Sequence, residues 1–355
     1  MKRIIYYLLL VNILSIINGY GQTGTEFWFA VPYVTQQHAP LNGTAFRFTN
    51  TTATAGTITI KIAATDVVLT TLAIPANGAA NYSIPVRPNA VADSIECKET
   101  DQVRNRGVVI TSTVEITAYY EINNTNNCEL FALKGANALG TEFYIPLQNN
   151  SNLYNNVWAT DPALSTFDII ATEDATTVQI YTRVPVETGR PANQVFSITL
   201  NRGQTYSCGF KGTNYQLAVN RPVGSVVLSD KPIAITIKED SYHTIGGGCY
   251  DVIGDQLVPV NIVGTDYIVI KGKLTGSPND EGYSILATQN NTKVYVNGNT
   301  TPVATLFAGQ TYTKTSLTDL RTYIHSDKPV YCIQITGNGC ELGSALLPPL
   351  NCAGS

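Results

Sequence analysis

The sequence predicts an all-β fold made of three tandem β-sandwich-like modules. One observation behind this prediction is a set of strand-forming elements that occurs three times in the same order. The other is composition: only 14% of the residues are charged, whereas Thr, Val, Ile and Tyr are abundant, as is typical of strands. Only the segments 102–107 and 132–140 are predicted to form even a short helix.

The first recurring element is Gly-Thr, a carboxylate and an aromatic residue, starting at Gly24, Gly140 and Gly264. A hairpin, a strand interrupted by glycine and a further pair of strands follow in each copy. We expect the Thr and the carboxylate of this element to bond backbone donors at the start of its strand. In the second and third copies the last pair contains Ser-Asp-Lys-Pro, which predicts a tight turn.

The repeat places module boundaries near residues 139 and 263, giving modules at 22–139, 140–263 and 264–355. A period of about 120 residues suits a sandwich of seven or eight short strands. Immunoglobulin-like and jelly-roll-like topologies both remain open.

The first 21 residues have the features of a secretory signal peptide. Lys2 and Arg3 precede an apolar run at 4–17, and cleavage is expected near Gly21. That run is about 14 residues long, shorter than the roughly 20 that span a membrane. We therefore expect a secreted or cell-surface chain without membrane insertion.

The charge pattern and the cysteines narrow the class of partner. A net charge of −4 without a Lys/Arg cluster argues against nucleic acid. Seven cysteines, none in a CxxC pair, favour disulfides over metal ligation in an exported chain. The predicted pairs are Cys97 with Cys128, Cys208 with Cys249, and one bridge among Cys332, Cys340 and Cys352.

The segment 139–257 contains LGTEFYIPL, FDIIATEDATTVQIY, SITLNRGQTYSCGF, GSVVLSDKPIAITI and CYDVIGDQLVP in that order. This succession resembles the IgGFc-binding protein N-terminal domain family, extracellular proteins of animals and of bacteria, with relatives of the Bacteroidota type. The resemblance implies extracellular, adhesion-like binding and offers no set of catalytic residues to carry over. We expect no cofactor. The resemblance also implies that the natural chain continues past Ser355, because relatives extend into further domains.

Function is expected in segments that the copies do not share: 148–165, 181–194 and 271–282. The first carries Tyr154 and Trp158 among Asn and Ser, a composition typical of recognition loops. Packing of Trp158 under its own loop is the alternative.

A Gly-rich stretch after the second Ser-Asp-Lys-Pro adds Tyr242 and His243 as binding candidates. Its carboxylates are also weak candidates for a hard-cation site, against the simpler interpretation that they are solvated. These carboxylates are Glu239, Asp240, Asp251 and Asp255.

Three functions follow from these patterns. The first is an extracellular adhesion or ligand-binding protein with a protein or glycan partner and no enzymatic activity. The second is a structural stalk, which predicts rigid junctions between modules. The third is a polysaccharide hydrolase, which predicts two carboxylates about 5–10 Å apart in a cleft.

Overall fold

The computed structural model describes residues 23–35, 43–123, 128–146, 152–153, 161, 163–210, 221–243, 251–274, 281–339 and 341–352. Strands dominate these ranges, with one α-helix, α1 (Ala90–Ile95), and 3-10 helices at Gly135–Ala138 and Leu350–Cys352. The predicted all-β class is therefore confirmed. The predicted signal peptide lies outside the described residues.

Three large sheets contain most of the strands, numbered in chain order. The first sheet consists of β1 (Gly24–Phe29), β3 (Thr44–Asn50), β4 (Gly56–Ile62), β5 (Val67–Ile74), β6 (Gly78–Ile84), β9 (Val108–Ile122) and β10 (Glu129–Leu133). The second consists of β8 (Val103–Arg104), β11 (Gly140–Tyr144), β12 (Asn152–Leu153), β13 (Ser165–Ala171), β14 (Thr176–Tyr181), β15 (Val195–Leu200), β16 (Thr205–Phe210), β17 (Val226–His243) and β18 (Asp251–Gln256). The third consists of β19 (Gly264–Ile270), β20 (Lys273–Leu274), β21 (Gly282–Ala287), β22 (Thr292–Val296), β23 (Ala304–Leu306), β24 (Thr311–Thr315), β25 (Arg321–Gly339) and β26 (Glu341–Leu346). A parallel pair, β2 (Val31–Pro32) and β7 (Glu96–Cys97), lies apart from them.

Each sheet is organised around one long strand: β9, β17 or β25. The first half of β9 lies between β4 and β1, and its second half lies between β3 and β10. The same arrangement recurs around β17 and β25. Each long strand thus runs through two layers of at least four strands, and buried residues of both layers form one core, as in a β-sandwich.

The Ser-Asp-Lys-Pro segments lie inside the long strands, so the predicted tight turn is wrong. β17 and β25 continue through Pro232 and Pro329, at the point where pairing passes from one layer to the other. Proline has no N–H to donate, and a change of pairing partner is a place where a strand tolerates that loss.

Recurring polar contacts hold these crossings against the preceding hairpins. The hydroxyl of Thr172 donates to the carbonyl of Pro232 at 2.7 Å, and Thr288 donates to Pro329 at the same distance. The carboxylate of Asp230 accepts the backbone N–H of Thr177 at 2.8 Å. The shared motif residues therefore stabilise the layer crossing.

Two of the three carboxylates of the Gly-Thr motif, Glu26 and Asp266, contact side chains and not the backbone donors that were predicted. Glu26 accepts a hydrogen bond from the indole of Trp28 at 2.8 Å. Asp266 accepts hydrogen bonds from the hydroxyls of Thr265 and Tyr323 and lies 2.9 Å from Nδ1 of His325. These carboxylates orient neighbouring side chains at the sheet surface.

Helix positions differ from the sequence prediction in two places. The 3-10 helix at Gly135–Ala138 lies in a predicted helical segment, whereas 102–107 contains β8 instead. α1 was not predicted, although Asn89 caps it by accepting the N–H groups of Val91 and Ala92 at 3.0 and 3.3 Å. Asn before a short apolar run is a helix-start signal.

The three sheets are packed tightly against one another. Trp28 and Val109 of the first sheet are buried against Ile170 and Ala234 of the second. Leu286, Tyr331, Ile333 and Leu346 of the third sheet belong to the core of the second. β8, which lies before residue 139, pairs with β16, so the predicted module boundaries do not separate every strand.

The predicted disulfide between Cys97 and Cys128 is absent: Cys97 is a buried free thiol and Cys128 an exposed one. Cys208 and Cys332 are buried free thiols that pack in the cores of the second and third sheets. The predicted partners Cys249 and Cys340, and the side chain of Cys352, lie outside the described residues.

Candidate ligand-binding cleft

A cleft of about 260 Å³ opens where the first and second sheets meet. We call it the inter-sheet cleft. Its lining comes from five places: the residue after β2, β7 with the residues after it, β13 with the segment before it, the loop between β14 and β15, and β17. The lining residues are Tyr33, Cys97, Lys98, Thr100, Asp161, Leu164, Thr166, Glu187 and Lys238.

Tyr33 is fixed in the wall of the cleft by contacts with its ring and its hydroxyl. The hydroxyl donates to Asp161 at 2.9 Å. The guanidinium of Arg87 lies 4.4 Å from the ring centroid, and the ammonium of Lys98 lies 5.0 Å from it. Burial, and then the hydrogen bond to Asp161, raise the pKa of Tyr33. The phenol therefore stays neutral and acts as a donor.

Lys238 brings a buried cation to the floor of the cleft. Its ammonium donates to the carbonyl of Tyr33 at 2.7 Å and lies 3.6 Å from the carboxylate of Asp240. Asp240 also accepts the N–H of Thr35 at 2.7 Å. Because a buried cation needs nearby acceptors, these contacts tie the segment 33–35, which follows β2, to β17.

Two loops that the copies do not share reach the cleft. Asp161 and Leu164 belong to the first, and Glu187 to the second. The carboxylate of Glu187 accepts a hydrogen bond from the hydroxyl of Thr100. Asp101 anchors the second loop, since its carboxylate lies 2.7 Å from Nε of Arg190. The structure thus brings two of the three predicted functional loops together.

Below the cleft floor lies a buried acidic group, Asp168 on β13. Its carboxylate accepts hydrogen bonds from Ser207 at 2.5 Å and from Thr166 at 3.2 Å. Burial raises the pKa of Asp168 to about 7. Burial, and then the nearby Asp168, raise the pKa of the Cys97 thiol well above its usual value. Cys97 is therefore an inert thiol, not an activated nucleophile.

We expect the free energy of unfolding to decrease as the pH rises from about 4 to about 7. An unfolded Asp has a pKa of about 3.9, whereas burial raises the pKa of Asp168 in the folded chain to about 7. Within this window the folded chain retains a proton that the unfolded chain has released. Stability falls with pH wherever the folded state binds more protons.

Asp168→Asn should therefore reduce the slope of the pH dependence, as measured by urea unfolding at several pH values between 4 and 7. Glu173→Gln, at an exposed carboxylate in the turn between β13 and β14, serves as the control and should keep the wild-type slope. An unchanged slope in Asp168→Asn would contradict the assignment.

The predicted binding residues fall in different places. Tyr154 and Trp158 lie outside the described residues, and only the position of His243 in β17 is described. β12, from the first unshared loop, pairs with β17 at Tyr242 and His243. Tyr242 is only 4% exposed and packs between the second and third sheets. It therefore does not face a ligand.

The four carboxylates proposed as a cation site each have a partner in the protein. Glu239 pairs with Arg221, Asp240 with Lys238 and Asp255 with Lys134. Asp251 accepts the N–H of Leu342 at 3.1 Å. Within the described ranges no group of three or more His, Cys, Asp or Glu side chains is placed to hold a metal ion.

Sequence reasoning missed Tyr33, Lys98, Thr100 and Lys238. Tyr33 and the stretch around Lys98 have no counterpart in the other two copies, so comparing the copies would have singled them out. Lys238 lies in a shared strand, and only the packing of the two sheets places it in the cleft.

Comparison with known proteins identifies the family. A family model, IgGFc binding protein, matches residues 131–352. This chain belongs to the IgGFc binding protein family. The match runs from β10 through the second and third sheets, which confirms the resemblance drawn from the motifs. No curated protein and no solved structure matches the chain.

Membership in the IgGFc binding protein family supports a ligand-binding or surface role, and the family is not enzymatic. In the part of the chain that the structure describes, no helix is long and apolar enough to cross a membrane.

Proposed function

We propose that this chain is an extracellular adhesion or ligand-binding protein that binds a protein or glycan at the inter-sheet cleft and catalyses no reaction. The observation that carries the proposal is the meeting of two unshared loops at a cleft with fixed walls. Binding sites are commonly placed on loops that a rigid scaffold positions. Family membership points to the same class of function.

We infer that Lys98 binds an acidic group of the ligand. Lys98 is exposed at its mouth and forms no ion pair with any described residue. The acids Asp161 and Glu187 each already accept a hydroxyl hydrogen bond. A volume of about 260 Å³ is below the roughly 300–1,000 Å³ of pockets for whole small ligands. The cleft therefore fits one acidic side chain or sugar acid of a larger ligand.

The hydrolase alternative fits the cleft poorly. A general acid needs a raised pKa within reach of the substrate. Asp168 and Glu96 have pKa values raised to about 7 by burial, but they are only 0% and 5% exposed. Neither is placed to touch a ligand in the cleft.

A structural stalk remains the second candidate, because the sheets meet through buried apolar contacts. Rigid junctions are what a stalk requires. They are equally suited to holding the walls of the inter-sheet cleft in place.

A binding screen of the chain from Gln22 tests the proposal, using a protein panel that starts with immunoglobulin Fc, named by the family, and a glycan array. For a ligand that binds, Lys98→Ala should raise the Kd about tenfold, equivalent to about 1.4 kcal/mol, because an ion pair in the cleft is lost. Lys293→Ala, at an exposed lysine of the third sheet, should bind like wild type.

Absence of binding to any protein or glycan would overturn the proposal in favour of the stalk. Equal affinity of the Lys98→Ala and wild-type chains would remove the inter-sheet cleft as the site.

A further inference from the structure

The outer face of the third sheet exposes apolar side chains. Tyr267 and Val269 of β19 are buried, so Ile268 and Ile270 point outward, and they are 44% and 64% exposed. Tyr323 on β25 lies opposite Ile268 and is also exposed. We call this surface the outer patch and define it by Asp266, Ile268, Ile270, Arg321, Tyr323 and His325.

The equivalent face of the first sheet is an internal docking surface. Trp28 lies opposite Val109 there, as Ile268 lies opposite Tyr323. Both first-sheet residues are buried against Ile170 of the second sheet. The position that Ile268 occupies is therefore one that the fold uses for packing between sheets.

The second sheet uses the same face. Tyr144, at the position equivalent to Trp28, packs with Leu286 and Tyr331 of the third sheet. Only in the third sheet, within the described residues, is this face uncovered.

The outer patch cannot pack against another sheet in the way the first and second sheets do, because Arg321 replaces the glycine found at the equivalent position. A Cβ on Gly107 would lie 2.5 Å from the carbonyl oxygen of Gly203, and one on Gly224 would lie 2.3 Å from that of Gly309. The close approach of the sheets therefore requires glycine just before the long strand, at Gly107 before β9 and at Gly224 before β17. The pairing register places Arg321 at the equivalent position, so its side chain blocks that approach.

We propose that the outer patch binds the outer patch of a second copy of this chain, forming a twofold dimer. The six residues of the outer patch form three cross-strand pairs, and the two end pairs carry opposite charge. Asp266 and His325 lie opposite each other at one end, Ile268 and Tyr323 lie at the centre, and Ile270 and Arg321 lie at the other end.

The twofold axis lies between the two facing copies, along the central pair Ile268 and Tyr323. It therefore sets β19 and β25 of one copy antiparallel to the same strands of the other. It sets Arg321 of one copy over the Asp266 end of the other, twice in the dimer, with Ile268 and Tyr323 packed at the centre. Self-complementarity of this kind is what a twofold contact requires. Arg321 is exposed and forms no ion pair among the described residues, so it is available for this contact.

Sedimentation velocity of the chain from Gln22 over a range of concentrations tests the dimer. The weight-average mass should rise from one chain towards two as the concentration increases. Ile268→Asp and Ile270→Asp should each weaken association at least tenfold. Val195→Asp is the matched control, because Val195 is 63% exposed on the edge of the second sheet, and it should leave association unchanged.

A charge-reversal pair tests the orientation. The R321D and D266R variants should each be monomeric, because in either one both ends of the patch carry the same charge. An equimolar mixture of the two should form a heterodimer. Thermal unfolding of each variant checks that the fold is retained.

A chain that stays monomeric at every concentration would overturn the proposal. So would a dimer that survives Ile268→Asp, or a mixture of R321D and D266R that does not associate although both variants are folded.

Discussion

Asp255→Ala is expected to lower the free energy of unfolding by about 3–5 kcal/mol, because it leaves a buried cation without its counter-charge. The carboxylate of Asp255 lies 2.6 Å from the ammonium of Lys134, and both side chains are 7% exposed. Its other oxygen accepts the N–H of Leu346 at 2.9 Å. Asp255 lies on β18 of the second sheet, Lys134 follows β10 of the first sheet, and Leu346 ends β26 of the third. One carboxylate thus links all three sheets.

Urea unfolding of Asp255→Ala, Lys134→Met and the double variant Lys134→Met/Asp255→Leu measures the effect. The double variant should be more stable than Asp255→Ala, since apolar replacement of a buried ion pair is often close to neutral. Asp255→Asn keeps the shape and an acceptor for Leu346 but not the charge, and it should be intermediate. Asp255→Leu is also measured alone, and additive effects of Lys134→Met and Asp255→Leu in the double variant would contradict a direct ion pair.

Gly203→Ala is the second substitution with a large expected effect. Gly203 has φ +75°, and a Cβ there would lie 2.2 Å from the backbone nitrogen of Ala64. The left-handed conformation costs about 1–2 kcal/mol for a non-glycine residue. Overpacking between the first and second sheets adds about 1–3 kcal/mol.

Gly298→Ala is the matched control for this substitution. Gly298 has the same φ, +75°, but a Cβ added to it would meet no atom within 4 Å. Gly298→Ala should lower the free energy of unfolding only by the cost of the left-handed conformation, without the overpacking cost. If thermal unfolding shows equal losses for the two variants, the close contact between the sheets makes no contribution.

Much of the fold could be predicted from residue patterns. The three copies of the strand elements predicted the all-β class, and each copy maps onto one of the three sheets with a long central strand. The Ser-Asp-Lys-Pro segment was misassigned because proline after a polar triplet is typical of turns. Pairing partners on both sides, which the local sequence does not specify, keep Pro232 and Pro329 within strands.

The candidate site could be predicted only in part. Loops 148–165 and 181–194 were singled out because the copies do not share them, and Asp161 and Glu187 do reach the cleft. Tyr33 and Lys238 meet there although they are far apart in the chain, and this depends on how two sheets pack. Tyr242 was misjudged for the same reason, because the third sheet buries it.

The packing of the sheets has a practical consequence for choosing expression boundaries. A fragment cut at the limits of the family match would start at Phe131 and would lose β1, β9 and Trp28. Ile170 and Ala234 of the second sheet, buried by those strands, would then face water. Such a fragment should be prone to aggregation, so a soluble product calls for the whole span from Gln22.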